Sequence, residues 1–481
     1  MKRDVLRFGI ILLVFVGMSG CIFQESPEEA SDQETTIARG QETSPPQTSP
    51  PQTSPPTDIN TWLQQNIIPF KTAEPGATYE DLMPLKEVIG DARIVALGEA
   101  THGTSEFFKM KHRILIFLVE EMGFNLFAIE ANWPESNLVN DYVHTGEGNP
   151  RKLLAGLRYW TWNTDEVLDM IVWMKKHNKN PGTAPQVSFY GIDMAYPIMA
   201  MDNVVNYLQK VDPDAVEYVD SLYEPFRLIA EDDLSLLDYS NASDSIQNQC
   251  RENMQEVYDF LESHQAVYEA ASSPEEFAFA LQSARICVQS EDAYSKRKSY
   301  NARDKYMAEN VSWILNQAGP NAKIVLWAHN GHVGKGSPGS SMGTFLEEKY
   351  GDQMVVFGFT FYSGSFNART GEGPDKYGPV IKHWVEPPPK DSFEYCFREV
   401  GVPLFFLDLR TIPPVPATRW LLEPHYIRAI GALYDDSRPL HFFQKATLSS
   451  VFDVIIYFEN TTASHLLSPP SGIGFFQVTI M

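Results

Sequence analysis

The sequence predicts an α/β protein: a mostly parallel β-sheet flanked by helices, with a large helical insertion between the third and fourth strands. Three observations carry this reading. Short runs that are almost wholly apolar alternate with stretches of helical period, as in a sheet covered on both faces. The stretch from residue 193 to residue 323 holds one helical pattern after another and no convincing strand, far more than a plain crossover needs. And several of the apolar runs end in ionisable residues, at the strand ends where open α/β sheets bind their ligands.

Taken in order, the chain begins with an address. Lys2, Arg3 and Arg7 precede an apolar run from Phe8 to Val16, and small residues lead to Cys21. Residues 1–21 read as a secretory signal peptide, with an apolar run too short for a comfortable membrane span. Met18-Ser19-Gly20-Cys21 resembles a lipobox, in which Cys21 would be lipidated after cleavage. An uncut N-terminal anchor or ordinary export is the alternative. Each of these places the body outside the cytoplasm, and an anchor holds it at the membrane without a spanning domain. Residues 22–57 are a Pro/Ser/Thr-rich linker with TSPPQ twice and then TSPPT, which favours extended polyproline II and serves as a spacer.

The globular body is expected over 58–481, including the helical insertion at about 200–318. Strands are predicted at 92–97 (ARIVAL), 124–129 (FNLFAI), 186–192 (QVSFYGI), 323–327 (KIVLW), 354–360 (MVVFGFT), 404–409 and 452–457 (FDVIIY). Helices are predicted at 104–122, 135–143 and 165–177, and within the insertion at 202–211, 215–229, 248–271, 274–289 and 302–317.

Composition narrows the function. The 481 residues carry 38 Lys+Arg against 62 Asp+Glu, a formal charge of −24. Such a surface repels phosphate backbones, so no nucleic-acid partner is expected. Four Cys residues, none in a C-x-x-C pair, make neither a disulfide scaffold nor a thiolate metal cluster. There is no G-x-S-x-G elbow, no H-E-x-x-H and no Walker A sequence. No cofactor and no resident metal is expected, although His329 and His332, three apart, keep a metal site conceivable.

The candidate site comes from the strand ends. The first run gives Gly98-Glu99-Ala100-Thr101-His102-Gly103, the second Glu130-Ala131-Asn132-Trp133, the third Asp193, the fourth His329-Asn330-Gly331-His332. Brought together, they suit hydrolysis. An imidazole takes a proton from water, and a carboxylate orients it and stabilises its charged form. Gly98 and Gly103 permit close approach of backbone or a positive φ, and an N–H at the start of the helix after Gly103 is a candidate oxyanion donor. Each residue also has a plainer reading: Asp193 as a helix cap, a lone His as a satisfied buried group, and Glu106, Lys109 and Arg113 as a solvated stripe. The sharper reading turns Glu106 and Arg113 toward the cleft. Arg303, opening the last insertion helix with Asp304, is either a clamp on a carbonyl or carboxylate, or a structural ion pair.

The ordered motifs Leu97-Gly-Glu-Ala-Thr-His-Gly-Thr-Ser-Glu-Phe-Phe108, Gly123-Phe124 through Glu130-Ala-Asn-Trp133, Trp160-Thr-Trp-Asn-Thr164, Arg303-Asp304 with Met307-Ala-Glu-Asn310, and Trp327-Ala-His-Asn-Gly-His-Val333 resemble the erythromycin esterase family. The resemblance runs from about Thr61 to Tyr457. It implies an α/β domain whose helical insertion forms the cleft. It also implies a hydrolase that opens a macrolide lactone, or cleaves another carboxylic ester, by adding water without a covalent serine intermediate. His102 would be the general base, with Glu99, Glu106, Glu130, Arg113, His329 and His332 positioning water and stabilising charge. The lipobox and proline-rich linker are not part of the drug-inactivating pattern, which leaves the substrate open. The competing class is a surface-tethered lipoprotein that binds haem or iron, since related folds resemble such proteins and would use the His pairs as ligands.

Overall fold

The computed structural model describes residues 58–229, 236–296, 301–371 and 377–468. The expected signal segment 1–21, with Cys21, and the linker 22–57 lie outside them. Among the described residues twelve strands form: β1 Ile68–Pro69, β2 Ile94–Leu97, β3 Leu126–Asn132, β4 Ser188–Asp193, β5 Ile324–Trp327, β6 Met354–Gly371, β7 Tyr377–Val385, β8 Leu404–Asp408, β9 His425–Arg428, β10 Leu433–Tyr434, β11 Phe443–Ala446 and β12 Val454–Thr461. The main sheet runs β1-β8-β12-β6-β2-β5-β3-β4, with β7 and β10 on the far end of β6; β9 and β11 pair separately. From β12 to β4 every neighbour is parallel, whereas β8, β1 and β7 join antiparallel.

The apolar runs are explained by burial on both faces. Ile94 and Ala96 point into one core, Val95 and Leu97 into the other. Strand β5 splits likewise, Ile324 and Leu326 against Val325 and Trp327. With no wet face there is no alternation to read.

Register decides where the site forms. Leu97 pairs with Trp327, and Trp327 with Ile129, so β2, β5 and β3 end at one level. Glu99 and His329 therefore leave the sheet beside Glu130 of β3, although the first two lie more than two hundred positions apart in the sequence. The chain reaches β4 before returning to place β5 between β2 and β3, which makes this rim a topological switch point.

The insertion is helical as expected: Ile198–Val211, Val216–Arg227, Leu236–Asn241, Asp244–Ser263, Gln265–Ala271, Pro274–Tyr294 and Ala302–Ala318. The single helix expected over 248–271 is two, broken at His264, which ends one and precedes the next. Strand β6 also departs from expectation. It does not stop near residue 360 but runs 18 residues to Gly371, rising beyond its neighbours to pair with β7 and β10. No described helix is long and apolar enough to cross a membrane.

Candidate active site

Glu99 is the buried centre of the rim. Its Oε1 lies 2.7 Å from His102 Nδ1, while Oε2 accepts from Lys111 Nζ at 2.6 Å and from Trp327 Nε1 at 2.8 Å. Burial alone would raise its pKa; the Lys111 ammonium and the His102 ring more than offset that and hold it below the usual range. Lys111 is itself wholly buried, and desolvation brings it down to about 8 despite the attraction of Glu99. Its ammonium also rests 4.4 Å above the Trp327 ring.

Because Nδ1 of His102 faces a carboxylate, its proton resides there and Nε2 carries the lone pair. His329 has the opposite arrangement. Its Nδ1 accepts the Gly331 N–H at 3.1 Å, so the neutral ring keeps its proton on Nε2. That Nε2 is buried with no partner among the described residues. Burial, then the nearby His102 and His332, push His329 down to about 3, so it stays neutral. The two ring centroids are 5.1 Å apart, and Trp162 stands edge-on to His102. His102 is 3% exposed, but His329 and His332 are only half-buried and Gly331 is exposed, which gives the rim its mouth.

Gly431 covers the pair. Its φ is +67°, and a methyl group on it would sit 3.7 Å from His329 Nε2 and 4.0 Å from His102 Cδ2. Its carbonyl accepts the His102 N–H, and its own N–H reaches Ala100. Gly98 and Gly103 serve by close approach alone: a Cβ at Gly103 would lie 2.1 Å from the Asn367 carbonyl oxygen, and neither residue has a positive φ.

A second charged cluster adjoins the first. Arg303 binds Asp193 through Nε and Nη2 and Glu130 through Nη2 at 2.8 Å. Glu130 also accepts the His329 N–H, and burial, which would raise its pKa, is outweighed by His332 and Arg303, so it lies well below the carboxylate range. His332 Nδ1 is 2.7 Å from Asp304, and its Nε2 lies 3.3 Å from Glu130 and 2.9 Å from Arg303 Nη1. Burial and the guanidinium oppose charge on this ring. Two carboxylates outweigh them, because Asp193 already neutralises Arg303, and the ring is raised toward about 10. Here the ion-pair reading of Arg303 describes the observed contacts, and Asp193 accepts Tyr159 as well as the Met194 N–H.

Two sequence expectations are corrected. Arg113 does not face the cleft: it is bound to Asp81 and to the carbonyls of Thr72 and Thr78 on the other side of helix Ser105–Met122. Glu106 stands outside the imidazole cluster, accepting from the Thr462 N–H and hydroxyl. The reason is that this helix has no simple wet face and is buried on nearly all sides. Of the N–H groups at the start of this helix, that of Ser105 is committed to the Thr462 carbonyl. The segment after β12 ties the loops of the rim together. Ser464 bonds the Gly103 carbonyl, Leu467 the Asn163 carbonyl, and Asp165 the His465 carbonyl. Lys111 and Trp327 were not singled out by sequence reasoning; a lysine amid Phe107, Phe108, Met110 and Ile114 was the available signal. Among the described residues no group of three or more His, Cys, Asp or Glu is arranged to hold a metal ion.

The erythromycin esterase family profile matches residues 119–461. This chain belongs to the erythromycin esterase family. It is 26% identical over 432 residues to the erythromycin esterase type II of Escherichia coli, covering 84% of this chain and 98% of that one. It is 24% identical over 438 residues to a Bacillus subtilis (strain 168) protein named as a putative hydrolase, covering 84% and 92%. Among solved structures, a Bacillus cereus protein superposes with a TM-score of 0.75 at 28% identity, covering 85% of this chain and 98% of that one. A mutant of the erythromycin esterase EreC in its open conformation superposes at 0.65 and 18% identity, covering 83% and 98%, which supports the fold. At the level of the family, the chain is a hydrolase.

Proposed function

We propose that this hydrolase cleaves a carboxylic ester, a macrolide lactone or a related one, by direct attack of water activated by His102. The observation that carries the reading is the opposed pair of imidazoles: an acceptor Nε2 on His102 beside a donor Nε2 on His329. His102 takes a proton from water, and the resulting hydroxide attacks the ester carbonyl carbon. Glu99 stabilises the imidazolium so formed. The His329 N–H donates to the developing oxyanion. His102 returns its proton to the leaving alkoxide, releasing acid and alcohol. The net charge of −24 favours approach of a cationic substrate such as an amino-sugar macrolide.

We further propose that the chain is exported and held at the outer face of the cell membrane through lipid on Cys21. Mass spectrometry of the membrane-bound protein should find its first residue to be Cys21 bearing acyl chains; a mature N-terminus elsewhere refutes the anchor. For the chemistry, intact-mass spectrometry of a single turnover quenched in acid, with enzyme in excess, should find the protein at its unmodified mass throughout. A transient adduct of the acyl mass would show an acyl-enzyme and overturn direct water attack.

A further inference from the structure

On the β9–β11 side of the molecule a cavity of about 490 Å³ is walled by Tyr426, Tyr434, Phe443, Pro388 and Leu440, with Arg428 at its lining. Arg428 is 3% exposed. Its guanidinium donates from Nε to the Phe361 carbonyl and from Nη2 to those of Tyr362 and Glu386. It lies over the rings of Phe361 and Phe443 at 5.1 and 4.9 Å. No carboxylate among the described residues lies within ion-pairing distance of it, although a buried cation is normally paired. Glu394, the nearest acidic neighbour, spends Oε1 on the Arg428 backbone N–H and the Thr360 hydroxyl. Burial raises the Glu394 pKa, so it is a weak counter-ion. Nη1 of Arg428 makes none of these bonds and is not enclosed by protein, so it is the donor left to the cavity.

We propose that this cavity is a second binding site, for a small aromatic carboxylate. The flat apolar body would lie among Tyr426, Tyr434 and Phe443, and the carboxylate would meet Arg428 Nη1. The shape suits it, because planar walls of tyrosine and phenylalanine stack on planar ligands. The charge suits it, because an anion supplies the partner that the buried guanidinium lacks. Lys445, above the Tyr426 ring at 4.8 Å, is paired with Asp391 and leaves Arg428 as the charge that faces the cavity; the exposed Glu386 side chain at the mouth restricts the anion to the inner end. The site is distinct from the imidazole pair yet connected to it, since Arg428 and Tyr434 bracket the Gly431 loop that covers His102 and His329.

Calorimetric titration of the full-length protein with naphthoate and with neutral naphthamide tests this. Naphthoate should bind, and naphthamide about ten-fold or more weaker, the loss of one charge-assisted hydrogen bond. Leu440→Asp, at a rim position 66% exposed and so tolerant of change, should weaken naphthoate by a similar factor. His102→Asn should leave naphthoate binding unchanged. Equal binding of acid and amide, no effect of Leu440→Asp, loss of binding in His102→Asn, or no binding of naphthoate at all would each overturn the proposal. None of these outcomes bears on water activation by His102, so the two readings fail separately.

Discussion

Glu99→Gln is the most informative single change, because catalysis and stability meet at that carboxylate. Three donors converge on its two oxygens, from His102, Lys111 and Trp327. An amide keeps the shape but offers one acceptor oxygen and an NH₂ group, so at least one donor is left facing another donor. Removing one partner of a buried charge pair costs about 3–5 kcal/mol. Lys111, already lowered to about 8, sheds its proton in the variant, which places the expected loss near ~3 kcal/mol. Catalysis should suffer more, by roughly 10⁴-fold in kcat, as when an orienting carboxylate beside a catalytic histidine is neutralised. Denaturant unfolding gives the first number and steady-state ester hydrolysis the second. Glu99→Gln/Lys111→Met should be more stable than Glu99→Gln alone, since it removes the buried, unpaired amine, yet remain inactive. Activity of Glu99→Gln within about ten-fold of the parent, or a double variant no more stable than the single, would refute the account of Glu99 as both clamp and counter-ion.

Three further outcomes are expected. His102→Asn should lower kcat by about 10²–10⁴-fold with little change in melting temperature, because Glu99 retains Lys111 and Trp327; normal turnover would remove His102 from the base role. Gly431→Ala should cost about 1–2 kcal/mol for its left-handed backbone and cut turnover by placing a methyl between the two rings, with KM-independent loss of kcat as the readout. For pH, the His332 ring is raised above its unfolded value of 6.5, so its contribution is fully present below pH 6.5 and is lost as pH rises through the folded value. From pH 7 to 10 the unfolding free energy of the parent should therefore fall relative to that of His332→Gln, which carries the same opposing slope from Lys111; a constant difference would show that the ring is not charged in the fold.

Most of what positions the site was legible in the sequence, because a doubly covered parallel strand announces itself as an unbroken apolar run and its first polar residue marks the rim. Glu99, Glu130, Asp193 and His329 were found that way. The outer half of β6 was not, since past Gly364 it runs beyond β12 to pair with β7 and β10, and its mixed polar and apolar residues do not read as a buried strand. Helix Ser105–Met122 misled for a related reason. Helical spacing tells which residues share a face, but a helix packed on nearly every side has several faces, each with its own polar partner. Arg113 found Asp81, and Lys111 found Glu99. Only the fold distinguishes a lysine that snorkels to water from one that is sealed against a carboxylate. The tautomers of His102 and His329, on which the chemistry rests, depend on hydrogen bonds to Glu99 and to a backbone N–H, and no residue pattern encodes the latter.

The stitching of residues 462–467 across the loops at Gly103 and Asn163 has a consequence for the order of events in the protein's making. The loop bearing His102 is synthesised early, but the bonds that fix its flanks form only once residues 462–467 have followed. A chain halted after β12 would have its sheet and both imidazoles and still lack a set centre. The setting of the rim is thereby deferred until residues 462–467 have been made, and a chain cut before them is expected to hydrolyse no ester.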